Sequence, residues 1–291
     1  MVKIENYGDL SFYPPPIKGL EKLVLFPDGE CKRKGVPNSS IWCFNNASFY
    51  QPWILANDVG CGMTAFVIGD VPVELSAETI AAYLADKNIL GSGNHFVDIC
   101  TPLFPGPSKM LLIHTDGKKR DPDAPQTFDE AQTRVKRASA LRVELGHELA
   151  DLIGTRANVY ADWPHNTVEF EKGQVVYRKG VINVTPEKEY ILPVSLGSTI
   201  LVYAPNPDNM PPMNSMPHAA GRRIPRGQGK VAIEKVAEIR TLAYIPDRIS
   251  DTSLRSEHPS CYNTIRSITR KFVKSMLTIG ELRILAYIGK I

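Results

Sequence analysis

Proline and glycine punctuate this 291-residue chain 23 and 21 times, which confines long regular elements to a few windows. Proline removes a backbone donor and glycine opens conformations that other residues avoid, so short apolar runs separated by turns are what remains. Runs of β-branched, aromatic and other apolar residues at 22–26, 63–68, 110–114, 175–177, 199–203 and 282–288 predict strands, with a further strand over 157–162. Three windows predict helices. Ser76 is placed to cap a helix over 77–87. Thr127 and Glu130 form a capping box for a long helix with Ala138, Leu141, Leu145, Leu149 and Leu152 on one face and Gly154 as its stop. Ile265, Ile268, Phe272 and Met276 repeat at helical spacing. The Pro- and Asn-rich stretch 204–217 is expected to be a loop that ends directly on His218, and 118–126 is a second polar loop.

Strands and helices alternate without a strict βαβ rhythm, and no internal repeat is present. The pattern predicts an α+β fold: a single domain over residues 1–291 with mixed or antiparallel sheets flanked by helices. At 43% hydrophobic the chain has material for a large core, and its net charge of +3 admits a polyanionic partner without requiring one. Five cysteines, odd in number and without a CxxC pair, fit a reducing compartment better than a disulfide framework. There is no basic segment followed by an apolar stretch at the start, and no run near the ~20 apolar residues of a membrane helix. The expected location is the cytoplasm, with no membrane partner.

Metal-binding residue types cluster in short glycine-flanked segments. Asp58 and Cys61 lie in DVGCGM, His95 in GSGNHF, His114 after the apolar run MLLI, and His165 in WPHN. One thiolate, one carboxylate and several imidazoles suit a reactive centre with open positions better than a structural zinc knot. A thiolate can bridge two cations, and such a mixed set accepts Mn²⁺, Zn²⁺ or Co²⁺. His218 follows in HAAGR, where Ala219, Ala220 and Gly221 are small enough to admit a phosphate and Arg222 is a candidate anion partner. His147 and His258 lack such contexts and read as structural.

These segments, taken in order, resemble those of one family. Pro27–Asp28 is similar to its PDVH, DVGCGM to DIGCGM, and LGSGNHF is the family string itself. VYADWPHNTV resembles its HN-bearing strand, YRKGV its HRKGA, LPVSLGST its IPGSMGT and MPHAAGR its CCHGAGR. SEHPSCYN resembles DExPxAYKD, and Lys290 matches a penultimate lysine. The family is that of the RtcB-type RNA ligases, which join RNA 3′-phosphate or 2′,3′-cyclic phosphate ends to 5′-hydroxyl ends using GTP and Mn²⁺.

The resemblance implies an RtcB-like fold and two manganese ions bridged by Cys61. Asp58 and His95 would complete one ion, and His114 and His165 the other. His218 would be the guanylylated nucleophile. Asn94, Asn166 and Ser195 would hold nucleotide phosphate or ribose, Phe96 and Tyr262 would pack on guanine, and Asp98 and Lys290 would read its edge. The implied partners are GTP, RNA with broken ends such as tRNA halves or damaged RNA, and an activating helper protein. The runner-up is a divergent member that binds metal and guanine nucleotide but acts as a phosphodiesterase or in another nucleotidyl transfer. The chain is shorter than the usual member and departs from its pattern at several positions. Asp98 replaces a glutamate, Asn263 a lysine, Ala219 a glycine, and Glu30 the PDVH histidine. The HSGSRG loop has become HTDGKKRD, which substitutes Asp116, Lys118, Lys119 and Arg120 for a Ser/Arg anion-binding loop.

Overall fold

The computed structural model describes residues 2–29, 35–90, 93–116, 123–224 and 230–290. Glu30, Lys118, Lys119 and Arg120 lie outside these residues. The early strands are β1 (Lys3–Asn6), β2 (Leu20–Leu25), β3 (Ser40–Phe44), β4 (Gly62–Ile68), β5 (Phe96–Pro102), β6 (Lys109–Thr115) and β7 (Ala157–Pro164). They are followed by β8 (Asn166–Glu171), β9 (Gln174–Lys179), β10 (Val181–Asn183), β11 (Tyr190–Leu192), β12 (Ile200–Pro205), β13 (Ser215–Pro217) and β14 (Met276–Gly289). Each run predicted as a strand overlaps one of them.

The strands form a five-stranded sheet in the order β1-β2-β3-β9-β8, a seven-stranded sheet in the order β11-β12-β14-β5-β6-β4-β7, and the pair β10-β13. Among the described strand pairs only β1 and β2 run parallel; the seven-stranded sheet is antiparallel throughout. The fold is a mixed α and β single domain built on antiparallel sheets. Side chains on a strand alternate between faces. That period sends Val24, Ile41 and Cys43 of one sheet and Met63, Ala65, Cys100, Met110 and Leu112 of the other into a shared core. The same alternation points Phe66, Val97, Ile99, Leu111 and Ile113 to the opposite face. There they meet Ile80 and Leu84 of the helix Val73–Lys87 and Leu145 and Leu149 of the helix Phe128–Leu152.

Several local expectations need correction. The first long helix begins at Val73, not after Ser76, and its N-cap Pro72 makes no side-chain capping bond. Ser76 is buried within the first turns, and Ala77, Ile80, Ala81 and Leu84 supply the apolar face that fixes the helix on the sheet. Thr127 does cap the second helix by accepting from the Glu130 amide at 3.2 Å, but Glu130 returns its bond to the Gln126 amide at 2.7 Å. The box is therefore displaced by one residue. Gly154 ends this helix in the left-handed conformation, φ 73°. The C-terminal helix stops at Phe272, and Met276 opens β14, because strand pairing with Pro205 captures it. The stretch 204–217 is not all loop: after two single-turn 3₁₀ helices it ends in β13, antiparallel to β10.

Gly146 shows how closely the long helix packs. A Cβ at this position would overlap the Phe66 ring of β4. Gly146→Ala gains up to about 1 kcal/mol of helix propensity but should destabilise overall by roughly 1–3 kcal/mol through overpacking. Urea unfolding measures the balance, and a variant as stable as the parent would show that the ring yields without cost.

Candidate metal and ligand site

Strand adjacency builds the centre. In the order β5-β6-β4-β7, antiparallel pairing puts the starts of β5 and β4 beside the ends of β6 and β7. Phe96 faces His114 across one pair, Met63 faces His114 across the next, and Gly62 faces Pro164 across the third. His95, Cys61, His114 and His165 therefore meet at one end of the sheet. The Cys61 sulfur lies 3.5 Å from His114 Nε2 and 3.7 Å from His95 Nε2, and His165 Nε2 is 3.3 Å from His114 Nε2. All four residues are buried.

The donor spacing fits a cation. A tetrahedral ion with bonds of about 2.0–2.3 Å holds its ligand atoms roughly 3.3–3.8 Å apart, which is the range seen here. One group of donors comprises Cys61, His95 and His114, and a second comprises Asp58, His95 and Asp116; within each, the atoms lie within 4.8 Å of one another. This partition differs from the one implied by resemblance. His95 is common to both groups, Asp116 enters as a donor, and His165 joins through its approach to His114.

Protonation and orientation favour metal binding. Burial, and then the neighbouring histidines, hold His114 and His165 well below the ordinary imidazole range. Both rings are neutral at neutral pH, as ligands must be. His114 Nδ1 donates to the Asn94 carbonyl at 2.9 Å, so its Nε2 lone pair points at the cluster. The Cys61 carbonyl accepts from the amides of His165 at 2.9 Å and Asn166 at 3.2 Å, which ties the two ligand loops together.

Arg142, on the long helix, is a part of the site that sequence reasoning missed. Its guanidinium is wholly buried. It donates through Nη1 to the carbonyls of Gly60 at 2.6 Å and Thr115 at 3.2 Å, and through Nε and Nη2 to the Asp162 carboxylate at 2.9 and 3.2 Å. Gly62 makes the approach possible, since a Cβ there would strike the guanidinium. The signal was positional. Arg134, Ala138, Arg142 and Leu145 follow the helix period and share its buried side, so the stripe contained charge as well as leucines.

His218 reaches the cluster through the short pair β10-β13. Val181 pairs with Pro217, and the His218 amide bonds the Gly180 carbonyl at 3.2 Å. Its Nδ1 donates to the same carbonyl at 2.8 Å. This fixes the tautomer with the lone pair on Nε2. The ring stacks on His165 with centroids 4.2 Å apart.

His218 also borders a solvent-connected cavity whose walls include Asn94, Phe96, Asp98, His114, Ser195, Glu257 and Tyr262. Strand alternation places Asp98 on the core side of β5 between Phe96 and Cys100. Its carboxyl is buried, its Oδ1 has no hydrogen-bond partner, and burial raises it well above the ordinary carboxylate range. A ligand offering N–H donors would satisfy it.

The remaining candidates divide. Lys290 Nζ bridges Glu257 Oε1 at 2.9 Å and the Gly93 carbonyl at 3.1 Å, at the edge of the cavity. Glu257, not singled out from the sequence, also accepts from Tyr262 and from Ser256. Ser195 Oγ lies 3.2 Å from Ser198 Oγ. Asn166 and Arg222 are tied into the frame around the centre. Asn166 Nδ2 donates to the Asp58 carbonyl at 3.0 Å and to Asp58 Oδ2 at 2.9 Å, while Asn166 Oδ1 accepts from the Gly180 amide at 2.7 Å. Asn166 holds the Asp58 loop against the His218 loop. Arg222 stacks on Tyr262 at 4.4 Å and donates to the Ser256 carbonyl at 2.5 Å, so it braces an aromatic wall. His147 packs on Phe66 and His258 on Ser260 and Glu238, outside the centre.

Behind His218 lies Asp28, buried, hydrogen-bonded to Ser39 and pushed up to about 7 by burial. Ser39 Oγ in turn lies 3.5 Å from the Gly180 carbonyl. Because folding raises this acid above its ordinary value of 3.8, its contribution to stability is full below about pH 4 and is lost as pH rises through about 7. Ionised Asp28 then costs on the order of 4 kcal/mol. Asp28→Asn should be near neutral in stability at pH 4 and stabilising by several kcal/mol at pH 8, measured as the difference in urea unfolding between the two proteins. An unchanged difference across that range would contradict the assignment.

No family model and no curated protein matches the chain. Among the described residues no helix is long and apolar enough to cross a membrane.

Proposed function

We propose that this chain is a compact RtcB-like RNA ligase that uses GTP and Mn²⁺ to join RNA 3′-phosphate or 2′,3′-cyclic phosphate ends to 5′-hydroxyl ends. The observation that carries this reading is His218. It stands against the cysteine–histidine cluster with Nδ1 fixed on the Gly180 carbonyl at 2.8 Å, on the wall of a cavity that contains an unsatisfied buried carboxyl. A histidine placed so is a nucleophile whose Nε2 lone pair is available without prior loss of a proton.

Asp58, Cys61, His95, His114 and His165 would hold the metal ions, which when bound neutralise charge on phosphate oxygens. In the cavity, Asp98 accepts from the N–H groups of guanine, and Phe96 and Tyr262 supply flat apolar walls. Lys290, held by Glu257, completes the base end, and Asn94 and Ser195 lie within reach of phosphate or ribose. His218 Nε2 attacks the α-phosphorus of GTP, forming an N–P bond as pyrophosphate leaves. After hydrolysis of any cyclic phosphate, the RNA 3′-phosphate takes GMP from His218. The RNA 5′-hydroxyl then attacks the activated phosphate and GMP departs. Throughout, the Gly180 carbonyl keeps the proton on Nδ1.

Incubation with Mn²⁺ and α-labelled GTP tests the reading. The expected product is protein-bound label that is lost in acid and stable in base, the behaviour of a phosphoramidate. Absence of label on folded, metal-loaded protein would sink the proposal. RNA carrying 2′,3′-cyclic phosphate and 5′-hydroxyl ends should then be sealed. Labelled protein that never seals them would support instead a phosphodiesterase or another nucleotidyl transfer.

A further inference from the structure

We propose that Asp116 is a metal ligand, and that it makes the two ion positions chemically unequal. The inference rests on the metal half of the proposed function and is independent of guanylylation. Asp116 follows directly on β6 and is fully buried; its Oδ2 lies 3.8 Å from His95 Nε2. The donor atoms of Asp58, His95 and Asp116 fall within 4.8 Å of one another. The placement is built. Arg142 Nη1 binds the carbonyl of Gly60, between Asp58 and Cys61, and the carbonyl of Thr115, beside Asp116. One buried cation therefore clamps the two carboxylate-bearing loops on either side of His95.

The chemistry of the two positions then diverges. Cys61 and His114, with His165 beyond, offer sulfur and nitrogen, the donors preferred by Zn²⁺ or Co²⁺. Asp58 and Asp116 with His95 offer two carboxylates and one imidazole, a harder set that suits Mn²⁺. Charge agrees. Two carboxylates and a thiolate nearly balance two divalent ions, and without Asp116 the pair would carry a larger uncompensated charge in a buried site. The structure thus assigns a mixed-metal centre, with the softer ion on the cysteine side and Mn²⁺ on the aspartate side.

Metal-free protein titrated with Co²⁺ and then with Mn²⁺ tests this, with bound metal measured by elemental analysis and free Mn²⁺ by electron spin resonance. The parent should hold two ions per chain, the first Co²⁺ giving a thiolate charge-transfer band. Asp116→Asn should keep that band, which also reports an intact fold at Cys61, and should lose the Mn²⁺ equivalent or bind it more than about 100-fold more weakly. A smaller loss is what removal of an outer partner costs, roughly 10–100-fold, and would overturn the assignment. If Asp116→Asn fails to fold, Asp116→Glu replaces it. Restored Mn²⁺ binding with altered spin-resonance lines supports a ligand, and lines identical to the parent overturn it. Loss of Mn²⁺ from Asp116→Asn in a parent that never takes label from GTP would uphold this inference and reject the ligase reading alone.

Discussion

His218→Ala should remove protein-bound guanylate entirely, a loss of roughly 10⁴-fold or more of the kind that follows deletion of a nucleophile. Its metal content should remain. The side chain contributes no donor to either metal group; its ring stacks on His165 and its Nδ1 is turned to Gly180. Losing the ring contact removes about 0.5–1.5 kcal/mol of stacking, too little to unfold the domain. The measurements are labelled adduct and metal per chain, taken on the same preparation. Adduct at parental level would place the nucleophile elsewhere. Metal loss with the adduct would recast His218 as part of the ion cluster.

Arg142→Met should damage both fold and centre. Methionine matches the length of the buried stem but leaves the carbonyls of Gly60 and Thr115 and the Asp162 carboxylate without their donor. Removal of one partner from a buried ion pair costs about 3–5 kcal/mol, a large share of a typical domain's stability. Because the freed carbonyls adjoin Asp58, Cys61 and Asp116, metal affinity should fall together with unfolding free energy. Arg142→Lys should rescue little, since an ammonium cannot reach carbonyl and carboxylate acceptors in the geometry of a planar fork. Urea unfolding of metal-free protein with parallel metal titration separates the two effects. A methionine variant of parental stability and full metal content would show that the clamp is dispensable.

Much of the framework could be read from residue order because strand runs and helix faces are local patterns. The ligand types stood out for a similar reason: Cys61, His95, His114 and His165 adjoin glycines or strand ends, where a polar side chain has little reason to be apolar filler. What escaped depends on partners far along the chain. Arg142 carries no signal of its own in the sequence, because Asp162, Gly60 and Thr115, which surround it, lie far from it along the chain. Asp116 stood out only as a change in an anion-binding loop, and it is the nearness of His95, 3.8 Å away, that makes it a candidate donor. Asn166 bridges Asp58 and the Gly180 amide, a link that no spacing encodes. Ser76 failed as a cap because the sheet below, through Ala77 and Ile80, decides where that helix begins.

The place of β14 carries a consequence for biosynthesis. It lies between β12 and β5, the third of seven strands, although it follows every other described strand in sequence. A nascent chain that has emerged only as far as the helix Ile265–Phe272 therefore presents two open sheet edges, on β12 and on β5, with a slot between them. Such edges pair readily with other chains. Ribosomal stalling or proteolysis ahead of Met276 should yield aggregates rather than a partly folded domain, and a chaperone that shields those edges should raise the yield of soluble protein.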